Sequence, residues 1–181
     1  MKHIGKITKE ALTVVPQGAQ SQQLTESSQN MVVAMLQTFP TGIDFGKKFN
    51  LDFCMEHYIN IKTIDDALMA RKIKLRELSV CYGEKLIMGW IHAWLINLSS
   101  YMNFSITEQQ ARTTSMFILE DCYMLNIAEF TLLFRKITRG NYGQFYGQFN
   151  GQIIMNACRE YRNQRGKILS LKTEDEQQKI L

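Results

Sequence analysis

The chain has 181 residues, 45% of them apolar and 21% charged, with a formal net charge of +4. Those values suit one soluble domain with a single core, and so mild a charge permits an acidic partner such as nucleic acid without demanding one. The longest apolar run, Leu86 to Leu98, spans 13 residues and is interrupted by Gly89, His92 and Asn97, whereas a membrane span needs about 20.

The cysteines, Cys54, Cys81, Cys122 and Cys158, lie 27, 41 and 36 residues apart, with no Cys-x-x-Cys. That spacing matches no zinc pattern. Each sits in an apolar context, which reads as reduced, buried thiols in a cytosolic protein. Ala11 to Val15 is too short for the apolar region of a secretory signal, and a cytoplasmic location is expected.

In chain order, residues 1–22 carry scattered lysines, Pro16, Gly18 and the run QGAQSQQ. No period is sustained there, and the segment reads as a flexible arm with at most a short strand at Leu12 to Val15. A first helix is expected from Leu24 to Phe39, capped by Thr25 or Ser27 and ended by Pro40 and Gly42, with Met31, Met35 and Leu36 on its apolar side. Residues 43–62 are ambiguous, although Asn50 is placed to cap a helix through Phe53, Met55, His57 and Tyr58. Thr63-Ile64-Asp65-Asp66 resembles a capping box. Beyond it Ile64, Leu68, Leu75 and Leu78 share a narrow arc, which predicts one helix with Arg71 at the end of the stripe.

After Gly83, the segment Glu84 to Tyr101 is apolar nearly all round and carries Trp90 and Trp94 one turn apart, so it is expected at the centre of a bundle. His92 reads as a hydrogen-bonded core residue, since no second histidine supports a metal. Thr107 to Gln110 is a further capping box, opening a helix with Ala111, Ile118, Leu119, Cys122 and Leu125. Asn126 with Glu129 opens the next, whose buried stripe is Ile127, Phe130, Leu133, Phe134 and Ile137. Arg135, Lys136 and Arg139 fall within about 100° on its far side, and Gly140 is the expected stop. A last helix starts at Asn150 or Gly151 and runs to Arg165 over Ile153, Ile154, Ala157, Cys158 and Tyr161, with Arg159 and Arg162 opposite. The fold expected is therefore an all-α, single-domain bundle of five to seven helices over residues 23–166, with a frayed polar tail at 167–181.

Between the last two helices lies RGNYGQFYGQFNGQ, Arg139 to Gln152, with four glycines, four aromatics and no acid; Gly-Gln-x-x repeats three times in succession. From Arg135 to Lys167 there are seven positive side chains against Glu160 alone, a local net of +6, so the rest of the chain nets −2. Basic groups beside glycine-flanked rings suit single-stranded nucleic acid: Arg135, Lys136, Arg139, Arg159 and Arg162 would neutralise phosphates while Tyr142 and Tyr146 stack on bases. The opposing reading has the rings, at helical spacings of 3, 1 and 3, fold down as a packed connector. No phosphate-loop or dinucleotide-binding motif is present. Glu120, Asp121 and Glu129 near one inter-helix turn admit a divalent cation, but caps and surface charge explain them more simply.

Cap, helix and loop together, LNIAEFTLLFRKITRGNYGQFYGQFNGQIIMNACREYRNQR, resemble the C-terminal signature of a small helical family found in prophages and mobile elements of gut bacteria. Its members combine a helix, a Lys/Arg-x-Gly-x-Tyr-Gly-x-Phe-Tyr-Gly loop and a helix with a basic tail, and their genes often neighbour replication genes. The resemblance covers residues 107–165 and implies a DNA-replication accessory factor, helicase-loader-like, with a helicase or similar replication protein as partner. Asn150 stands where family members tend to carry an acid, which argues against a metal or catalytic role there. The expectation is a non-enzymatic nucleic-acid binder without cofactor, metal or catalytic residues. The alternative is an interaction module docking through loop 140–151, and a third class is a metal-dependent nuclease using Glu120, Asp121 and Glu129.

Overall fold

A computed structural model describes residues 24–70 and 73–178. The proposed N-terminal arm and Arg71 lie outside the described residues. Within them the chain forms α1 (Glu26–Thr38), α2 (Gly42–Lys48), α3 (Leu51–His57), α4 (Ile64–Met69), α5 (Leu75–Tyr82), α6 (Glu84–Met102), α7 (Glu108–Cys122), α8 (Ile127–Thr138) and α9 (Gly151–Gln178). The all-α expectation holds, but nine helices among the described residues exceed the five to seven expected.

Two causes, one local and one long-range, account for the excess. The ambiguous 43–62 stretch makes two short helices: Thr41 and Asp44 form a capping box on α2, and Asn50 accepts from Phe53 N–H to open α3, as its position suggested. The single helix expected from Thr63 through Leu78 is instead two. At the start of α5 the N–H groups of Leu75 and Arg76 donate to Leu125 O and Tyr123 O, each at 2.9 Å. Lys74 N–H donates to Glu77 Oε2 at 2.8 Å. These are donors a continuous helix would have satisfied internally, so the turn between α7 and α8 takes the place of the missing helical turn. Glu77, 1% exposed, also accepts from Ser28 Oγ at 2.6 Å and fastens α1 to α5.

The central helix is α8 rather than α6. Ten of its twelve residues are buried, Glu129, Thr131 and Arg135 included, because α3, α4 and α9 pack around it and α6 lays Trp90 and Trp94 on Phe130 and Phe134. α6 turns one face inward and leaves Ile96 and Tyr101 exposed. Nor does the chain fray after residue 166: α9 continues through Gly166, whose cost of about 1 kcal/mol in a helix is offset where Ile168 packs against the core and Lys172 pairs with Asp65 of α4.

Gly151 lies against Thr114, and Arg162 reaches Asp121. Helices α7 and α9 therefore run parallel, with their N-termini at the same end of the molecule.

Trp94 is 1% exposed and contacts two rings of α8. Trp94→Ala should lower the stability measured by denaturant unfolding by about 3–5 kcal/mol, the usual range for a large core truncation. A variant with the wild-type midpoint would remove the α6–α8 ring stack from the core.

Candidate nucleic-acid interface

The aromatic loop starts where α8 is stopped. Gly140, at φ 73°, donates to Ile137 O at 2.9 Å, and Asn141 N–H donates to Lys136 O at 3.1 Å. This pair of bonds needs a left-handed residue at position 140 and favours glycine there. Downstream the loop is pinned to the end of α6. Phe145 stacks on Phe104 with ring centroids 4.6 Å apart, Phe149 packs against Phe104 at 5.8 Å, and Phe149 N–H donates to Ser105 O at 3.2 Å.

Of the two rings expected to stack on bases, only Tyr146 is placed to do so, at 86% exposure. Tyr142 is half-buried against the core and its hydroxyl is enclosed; burial, with Glu160 and Cys158 nearby, pushes its phenol up to about 12. The packed-connector reading thus fits Tyr142, Phe145 and Phe149, and the loop presents a single free ring.

The basic residues also divide. Arg135 is turned inward, 6% exposed, where its guanidinium donates to Tyr58 O at 2.7 Å, Ile61 O at 3.1 Å and Ile59 O at 3.4 Å. Its place on the far side of the apolar stripe did not make it a surface residue, because that side faces the backbone carbonyls of the turn that follows α3. Burial and the Arg139 charge lower its pKa. Arg162 is half-exposed and spends one N–H on Asp121 Oδ1 at 2.7 Å. The Lys136 ammonium lies 5.9 Å from the centre of the Tyr161 ring. Arg139 and Arg159 are exposed.

The three carboxylates weighed as a metal site do not converge. Asp121 pairs with Arg162, Glu120 is exposed, and Glu129, 1% exposed, accepts from Asn126 N–H at 3.0 Å and from Arg165 Nε at 2.7 Å. Among the described residues no three His, Cys, Asp or Glu side chains are grouped to hold an ion. His92 is no core residue in a network: its Nε2 lies 3.4 Å from the exposed Glu108 carboxylate.

Sequence reasoning missed Tyr101, 75% exposed and three residues before Phe104, which carries the loop. Periodicity places it one heptad after Trp94, on the buried stripe. Comparison with family models, curated proteins and solved structures finds no match to the chain.

Cys54, Cys81, Cys122 and Cys158 are free thiols, all but Cys81 fully buried. Burial pushes Cys54 and Cys81 up to about 12, and a hydrogen bond to Cys158 together with burial raises Cys122. Thiolate is the reactive form, so at pH 8 these three should resist a thiol-specific chromogenic reagent in the native protein. All four should react in guanidinium. Fewer than four after unfolding would reveal a disulfide or a bound metal.

Proposed function

We propose that the chain binds single-stranded nucleic acid, without catalysis, over the end of α8, the loop and the first turns of α9. The observation that carries this reading is the ring of Tyr146, held out by a loop whose neighbouring rings are packed, between exposed Arg139 on one side of the sequence and exposed Arg159 on the other. A ring fixed in advance loses little freedom when a base stacks on it, and unpaired guanidiniums can release counterions from phosphates. Lys136 and the free side of Arg162 widen the basic surface; Arg135 and Tyr142 serve the fold. In a cytoplasmic setting of phage or mobile-element replication, which rests on the resemblance of residues 107–165, a helicase would be the natural protein partner. No described helix is long and apolar enough to cross a membrane.

A second reading has loop 140–151 dock onto a protein. It is favoured by the outer face of α7, where Met116 and Phe117, with Tyr123 just past the helix end, are each about two-fifths exposed.

Fluorescence anisotropy with an oligo-dT strand over a salt series separates the roles. Arg139→Ala and Arg159→Ala should each flatten the salt dependence by a slope of about 0.7. Tyr146→Ala should weaken binding by about 1–3 kcal/mol and leave the slope unchanged. Arg135→Ala should instead lower the melting temperature, since it removes three hydrogen bonds and leaves Ile61 O without its donor. If the unmutated chain binds no strand at low salt, the nucleic-acid reading fails and the docking reading replaces it.

A further inference from the structure

Where the parallel α7 and α9 begin, an open cup of about 440 Å³ is lined by Thr107, Gln110, Thr113, Thr114, Asn150 and Gly151. From Thr107 to Thr114, α7 projects about 10 Å beyond the first residue of α9, at 1.5 Å per residue, and forms one wall; Asn150 and Gly151 form the floor. Parallel helices of 15 and 28 residues point their positive dipole ends the same way, staggered by that length, so the start of α9 faces the wall of α7 and favours a negative charge there. α7 has Glu108 in its first turn, but that side chain is 82% exposed and approaches His92. α9 has no acid in its first turn.

The donors at this end are not used up. Asn150 Oδ1 accepts from Gln152 N–H at 2.9 Å, and Asn150 O from Ile153 N–H at 3.1 Å, while the N–H of Gly151 has no partner among the described residues. The side chain of Thr114 is the second sign. Thr114 is only 6% exposed, lines the cup, and makes no side-chain hydrogen bond among the described residues. Its Oγ1 lies 3.5 Å from the point where a Cβ on Gly151 would stand, so it is directed at the bare backbone of the floor. Solvent reaches the hydroxyl oxygen, which is free to donate into the cup, and an unpaired N–H at a helix start is an anion donor.

We infer that this cup binds a phosphate oxyanion, held by the Gly151 N–H, the Thr114 hydroxyl and the N-terminus of α9. Its source in the cell is a nucleic-acid backbone, a clause that rests on the function proposed above, or a free phosphate group. The alignment with the loop favours the backbone, since Phe149 on the loop borders the same cup.

The test is a proton–nitrogen correlation spectrum of the full chain titrated with inorganic phosphate, against sodium chloride at matched ionic strength. The Gly151 and Thr114 amides should shift saturably with phosphate alone. Thr114→Val keeps the shape and should fold as well as the parent, because the lost hydroxyl made no bond; it should weaken phosphate binding about tenfold, as expected for one hydrogen bond to a charged group. Should that variant unfold, Gly151→Ala serves, its methyl covering the hydroxyl. Amides that move no further with phosphate than with chloride, or a Thr114→Val chain that binds phosphate as the parent does, would overturn the site. Once phosphate binding is seen, an oligo-dT titration identifies the source. The same amides shift if the backbone supplies the phosphate. They stay still if a free phosphate does, in which case the site stands, and only a complete lack of strand binding refutes the nucleic-acid reading.

Discussion

α8 is enclosed on all sides yet carries Glu129, Thr131 and Arg135 in its interior, and each of these must find a partner or cost several kcal/mol. Thr131 returns its hydrogen to Ile127 O at 2.8 Å. Glu129 takes the Asn126 N–H and the Arg165 guanidinium, which fixes α9 against the start of α8. Arg135 fills the carbonyls behind α3. Asn126 adds the last tie: its Oδ1 caps α8 at Glu129 N–H, and its Nδ2 donates to Ala67 O at the end of α4. One helix thereby sets the positions of α3, α4 and α9 through polar contacts, while its rings and aliphatic groups complete the core. Satisfied networks of this kind specify one arrangement more strictly than apolar packing alone.

The loop inherits its position from that helix. Gly140 closes α8, Glu129 and Arg165 hold α9, and the loop spans a gap whose two ends are fixed, with Phe104 as a third anchor. Three rings bury themselves on those anchors and Tyr146 is left in solvent. A ligand meeting a surface so fixed would find its groups already presented, and the ordering cost of binding would be small.

Much of this was legible in the residues. Caps at Thr63, Thr107 and Asn126 were readable because a hydroxyl or amide followed three residues later by Asp, Glu or Gln has a local cause, and α6, α7 and α8 begin where expected. What the sequence hid depends on long-range partners. Nothing local tells that Leu125 O and Tyr123 O would break a helix at residue 74, that Ser28 would meet Glu77, or that Arg135 would find three carbonyls some 75 residues earlier. Periodicity separates an apolar face from a polar one, but it cannot say whether the polar face meets water or another helix end. For the same reason the basic count around the loop overstated the free charge: Arg162 and Arg165 are paired to acids from distant helices.

Hydrogen exchange of the native protein, followed across a denaturant series, tests most directly whether α8 organises the fold. Amides from Phe130 to Ile137 should exchange only through global unfolding, with the denaturant dependence of unfolding itself. The opposite result would be α8 exchanging through a smaller opening while α6 stays protected; the polar ties of Asn126, Glu129 and Arg135 would then be ornaments on a bundle built around α6.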